Sequence, residues 1–284
     1  MFPTYRPARA GYRRYFRNIL FWIALAASAL LGFASGARLK ESAMLDDMYV
    51  IFGFLIFAAF MSLMIGREFS DGGFRNKITS GYTKGKVFFS EYIVALTICL
   101  IYTLVAAGIV SLMNPSAYGN ILPELLIKSI IGYLLLIVSM ITIIFVVSVL
   151  ISRKAVAAVL ALLLVIGLYL AAYEIDFALS RPEFQKEMVQ REDGMWELTG
   201  GTEKNPNYID SPMRENLTFI VNVIPIGQAI QYNEWVAPLF DPINVRILMG
   251  EEEKLLNTMP FYSLGTTIVL LAGAYVIFRK KDFK

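Results

Sequence analysis

Six long apolar runs organise the chain: Asn18–Ala37, Met48–Gly66, Phe89–Met113, Ser129–Ser152, Ala155–Tyr173 and Phe261–Phe278. A helix needs about 20 residues to cross a ~30 Å hydrocarbon layer. Each run therefore predicts a membrane-spanning helix. The first run reads as a retained span, because it is long, follows five arginines and precedes further spans.

The polar stretches have patterns of their own. In residues 5–17, Tyr5, Tyr12 and Phe16 fall near one helical face and arginines fill the rest. This predicts an amphipathic helix in the membrane interface with its rings at headgroup level, against the alternative of a basic tail without structure. Between runs two and three lies GREFSDGGFRNKITSGYTKGK, Gly66–Lys86. Phe74, Ile78 and Tyr82 recur there every four residues and predict a short surface helix over about 71–82. Asp71 is its expected cap, Gly72 and Gly73 its sharp turn, and Gly81 its stop. Arg75, Asn76 and Lys77 are expected to point away from the apolar face. A helix so short is marginal alone in water. Its apolar face is expected to dock in a groove on a partner, and a plain solvated loop is the other reading.

Residues 174–260 separate runs five and six, and a structureless loop of that length is improbable. Helices and turns are expected instead. Within them Leu217–Ile230 is apolar but too short to span, and Pro225 interrupts it. A buried or re-entrant pair of half-helices is predicted, with Asn222, Pro225, Gly227 and Gln228 around the break. In the first run Ala24, Ser28, Gly32 and Gly36 repeat every four residues. Such a stripe lets helix backbones approach closely in lipid, with a partner in this chain or another.

Composition agrees: 57% of residues are hydrophobic and 17% charged, against about 25% charged in soluble domains. Charge also orients the chain. Lys and Arg concentrate in residues 6–17, in Gly66–Lys86, at Arg153–Lys154 and in the tail with Arg279, Lys280, Lys281 and Lys284. The alternate segments 38–47 and 114–123 lack any such excess, and 174–260 has fifteen acids against seven bases. By the positive-inside rule both termini are cytoplasmic. Three parts follow: 1–173 with the interfacial helix, spans one to five and the loop helix; the outer segment 174–260; and 261–284 with span six and its basic tail.

Several chemistries lack their residues. There is no histidine, and the single cysteine, Cys99, lies inside the third run. Ser–His or Cys–His catalysis and His-based metal sites are excluded. The stretch GYTKGK is one residue short of a phosphate-binding loop, and Val87 stands where Ser or Thr belongs. Glu91 and Lys128 are the ionisable residues near span boundaries, both expected to snorkel to an interface. No acid is seen at mid-span to hold a coupling ion, so any transport would draw its energy from outside the spans.

Residues Glu68, Phe69, Gly72, Arg75, Ile78, Gly81, Tyr82 and Lys86 follow a loop pattern that resembles the permease subunits of type-2 ATP-binding-cassette exporters. Gly73 replaces a usual Thr, and Thr83-Lys84 a usual Ser-Arg. Ile224–Gln228 resembles the Asn-Pro-type segment before the last span of such permeases, and VIFRKKDFK at Val276–Lys284 resembles their basic finish. The resemblance implies an all-α fold of six spans, half of a translocation path in a bacterial plasma membrane. It implies a coupling helix at Asp71–Tyr82 and a second permease subunit, an identical chain being favoured over a sister. ATP and Mg would sit on separate cytoplasmic ATPase subunits, with no cofactor or catalytic site in this chain and no nucleic acid as partner. The implied substrates are amphipathic or antimicrobial peptides. An immunity permease against bacteriocin-like antibiotics and a non-transporting receptor sensing ligand through 174–260 are the alternatives. The outer charge of minus eight would attract cationic peptides, although the positive-inside rule alone also strips such segments of Lys and Arg.

Overall fold

The computed structural model describes residues 5–42, 47–115, 123–190, 196–236 and 251–282. Residues 116–122, most of the predicted loop 114–123, lie outside them, as do 237–250 of the outer segment and Lys284. Twelve elements are described: α1 (Tyr5–Phe16), α2 (Ile19–Ser42), α3 (Asp47–Ser70), α4 (Gly73–Thr79), α5 (Lys84–Met113), α6 (Pro123–Leu150), α7 (Lys154–Leu179), β1 (Phe184–Gln190), β2 (Trp196–Lys204), α8 (Met213–Val223), α9 (Pro225–Val236) and α10 (Glu251–Lys280). Six helices, α2, α3, α5, α6, α7 and α10, are long and apolar enough to cross a membrane. The chain is a multi-pass membrane protein by this measure.

The helices outrun the apolar runs. Helix α7 continues to Leu179 and α10 begins ten residues before Phe261, because apolarity marks only the part that must avoid water. Helices α3 and α6 form the centre of the bundle, while α7 and α10 leave most of their surface outward. Polar side chains stitch the helices together, a common device in apolar surroundings. Ser62 and Ser148 join α3 to α6 at 3.1 Å, Tyr92 and Thr142 join α5 to α6 at 2.8 Å, and the Tyr102 hydroxyl donates to the Phe21 carbonyl of α2.

The stripe in α2 faces α5 of the same chain. A methyl group on Gly32 would lie 2.6 Å from the Ala106 carbonyl oxygen and 2.8 Å from its Cα. At Gly36 the Asn114 side-chain amide donates to the carbonyl at 2.9 Å. Ala24 and Ser28 are buried, and the Ser28 hydroxyl bonds back to the Ala24 carbonyl.

The outer segment departs from the expectation of helices and turns. An antiparallel hairpin pairs β1 with β2, Phe184 opposite Lys204 and Gln190 opposite Trp196, with a bulge between Lys186 and Met188. The cause is legible afterwards: Trp196-Glu197-Leu198-Thr199 alternates with a period of two, and Gly200-Gly201 disfavours a helix. Helices α8 and α9 do meet at the predicted break, where Pro225 opens α9, a position that needs no backbone N–H.

Candidate functional site: the α4 corner and its buried ion cluster

The basic segments converge at one end of the bundle. Lys84 Nζ donates to the carbonyls of Arg279 and Lys281 at 3.0 and 2.7 Å, closing the end of α10. Lys281 Nζ donates to the Leu150 carbonyl at the end of α6. Gly66 abuts Lys154, where a methyl group would meet the Lys154 Cα at 2.6 Å. Lysines at helix C-termini satisfy orphan carbonyls and complement the helix dipole. Burial lowers the Lys281 pKa.

Helix α4 occupies this end as a two-turn helix, seven residues at Gly73–Thr79, within the expected 71–82. Asp71 does not cap it. The N-cap is Gly72, in the left-handed region at φ 70°, and Asp71 instead accepts from the Ser70 hydroxyl. The predicted stop is present: Gly81 has φ 89°, its N–H bonds the Ile78 carbonyl and the Tyr82 N–H bonds that of Lys77. These two bonds make a Schellman motif, which glycine enters without steric cost.

The apolar face of α4 turns inward, onto its own chain. Phe74 is 1% exposed, its ring 4.5 Å from that of Phe69 in α3 and 5.6 Å from that of Phe278 in α10. Phe278 continues to Phe88 of α5 at 5.3 Å, and Phe88 to Phe145 of α6 at 5.3 Å. Ile78 and Tyr82 are partly buried against the same core. No partner is needed to cover this face, contrary to the expected groove, because α3, α5 and α10 supply it.

Lys77 also turns inward, since it lies one helical turn after Phe74. Its Nζ donates to Glu68 Oε2 at 2.7 Å and to Glu91 Oε1. Arg14 of α1 pairs with Glu68 Oε1 and lies 3.6 Å from Glu91 Oε2. The two carboxylates are 4% and 1% exposed, Lys77 13% and Arg14 36%. Two acids and two bases thus neutralise one another where α1, α3, α4 and α5 meet. Burial opposes the Arg14 charge, but Glu91 and then Glu68 outweigh it and raise the Arg14 pKa. The adjacent Tyr15 is also pushed upward, by burial first and Glu91 second, and stays neutral. Glu91 therefore does not snorkel; it is held inside by cations from two other elements. Lys128 pairs with Glu124 at 2.9 Å on its own helix.

What remains exposed on α4 is polar: Arg75, Asn76, Thr79 and Ser80, with Asp71 beside them. Next to this face an open cleft of about 180 Å³ is lined by Phe69, Gly72, Arg75, Ser152, Lys281 and Asp282, with Glu68 at its wall.

The candidate residues near the outer break form a second assembly. Gln228 donates to the Asn222 carbonyl at 2.6 Å and accepts from Ser263 of α10 at 2.6 Å. Gly227 presses on the Val221 carbonyl, where a side chain would not fit. These contacts pin the α8–α9 corner to α10.

The burial of Glu91, the pairing of Arg14 and the inward aim of Lys77 escape the sequence reading. A signal existed for Glu91, because an acid within VFFSEYIVAL must find a cation to be tolerated there. No family model and no characterised protein matches the chain.

Proposed function

We propose that this chain is the permease subunit of an ATP-driven exporter, coupled to separate ATPase subunits through α4. The observation that carries it is the mounting of α4. The helix presents a polar face outward, while a neutral ion cluster and an aromatic stack fasten its other face to α1, α3, α5 and α10. A short helix joined this firmly to several spans transmits displacement rather than absorbing it. The resemblance of Glu68–Lys86, Ile224–Gln228 and Val276–Lys284 to type-2 permeases supports the same reading. By the positive-inside rule the α4 end is cytoplasmic, where ATP is found.

On this reading ATP and Mg bind the ATPase and not this chain. A second permease copy completes the path. The acidic outer segment favours cationic amphipathic peptides as substrates. Gln228 and its partners hold the outer corner against α10, where the path would close.

Reversing an exposed charge on α4 tests the coupling. Arg75→Glu is expected to leave folding within about 0.5 kcal/mol, as exposed substitutions do. The same change should lower ATPase co-purification and peptide-stimulated ATP turnover at least tenfold. Unchanged assembly and turnover would remove α4 as the contact.

A further inference from the structure

We infer that the outer face of α1 is a docking site for anionic phospholipid headgroups. Helix α1 was expected to turn Tyr5, Tyr12 and Phe16 to the membrane interface, but the bundle takes Tyr12 while Phe16 stays exposed. The Tyr12 hydroxyl donates to Thr97 of α5 at 2.9 Å, Tyr15 is buried against Phe60 of α3, and Gly11 meets Val94. The side left outward carries Arg9 and Arg13, one turn apart, and Arg17 follows just past the helix end. All three are exposed, and among the described residues no carboxylate pairs with them. Like charges one turn apart destabilise a helix unless an anion compensates.

The surroundings select the anion. Arg17 lies two residues before α2, and that helix opens with outward apolar side chains: Ile19 is 68% exposed and Trp22 54%. Phe16, next to Arg17 in the chain, is exposed as well, and the Trp22 indole N–H donates to its carbonyl at 3.1 Å. A cationic row bordering bare hydrocarbon-facing surface matches a phosphate attached to acyl chains, with the guanidiniums on the headgroup and the rings against the chains. The inference rests on the membrane-protein character of the chain and not on the transport reading.

The consequence is regulatory. Arg14 sits between Arg13 and Tyr15 on the same helix and reaches the ion cluster under α4. Lipid drawn to the outer face would hold α1 in the position that keeps Arg14 beside Glu68 and Glu91.

The test reads Trp22 in the full chain, with Trp196→Phe and Trp235→Phe to silence the other indoles. Bilayers of phosphatidylcholine receive either brominated phosphatidylglycerol or brominated phosphatidylcholine, and quenching gives the relative affinity of the two lipids. An anionic preference that weakens with salt is expected. Each arginine contributes up to about fivefold at a membrane surface, or about a hundredfold for three if the contributions multiply in full; Arg9→Gln/Arg13→Gln/Arg17→Gln should cut the preference at least about tenfold. The corresponding triple change to Lys should retain most of it. Removing three other exposed cations at this end, Arg67→Gln/Arg153→Gln/Arg279→Gln, should have little effect. No anionic preference, equal loss in the two Gln triples, or abolition by soluble glycerol phosphate would each overturn the proposal.

Discussion

Lys77→Met is expected to destabilise the protein by about 3 kcal/mol, the usual cost of removing one partner from a buried ion pair. The change strands Glu68 and Glu91, both almost fully enclosed, with Arg14 as their remaining cation. Methionine fills much of the lysine volume, so the loss reports charge rather than a cavity. Replacing both members, as Lys77→Met/Glu91→Met, leaves Arg14 with Glu68 and should restore at least half of the loss. Unfolding of the detergent-solubilised protein measures both variants. A cost below about 1 kcal/mol for the single change would be that of an exposed pair and would mean that the cluster does not fasten α4.

The second large effect belongs to α2. Gly32→Val should cost about 3 kcal/mol, at the upper end for overpacking. Its first carbon would already stand 2.6 Å from the Ala106 carbonyl oxygen, and backbone cannot step aside as a side chain can. Helices α2 and α5 would have to separate, and the Asn114 bond to the Gly36 carbonyl would go with them. Gly265→Val on α10 is the matched control. Nothing lies within 4 Å of its first carbon, so stability should change by less than about 0.5 kcal/mol. Equal effects at the two glycines would contradict the close approach of α2 and α5.

The spans were legible because hydrocarbon imposes a long apolar run on any helix that crosses it. The small-residue stripe was legible for a related reason, since a four-residue repeat defines one helix face; which helix it meets was not. Gly81 was readable as a stop because a left-handed residue there favours glycine. Asp71 misled, because Gly72 lets the chain turn before a side-chain cap is required. Lys77 was the larger loss. Periodicity assigns a lysine to the solvent face, and only the three-dimensional arrival of Glu68 and Glu91 makes burial tolerable. The β-hairpin was missed because its alternation is short and its glycine pair looks like a loop. Tyr12 was assigned to the headgroup level by its helical face, whereas Thr97, 85 positions away, claims it.

On the proposed function, an ATP-hydrolysing partner grips the polar face of α4. Cys99 is fully buried, so Arg75→Cys places the accessible thiol on α4, and Glu203→Cys on the hairpin places one at the opposite end. A short thiol-reactive cross-linker applied to native membranes should join position 75, and not position 203, to a nucleotide-binding subunit, and ATP turnover in the purified complex should fall when the link forms. Peptide transport by the chain alone in vesicles free of any ATPase, with no cross-link from position 75, would contradict it.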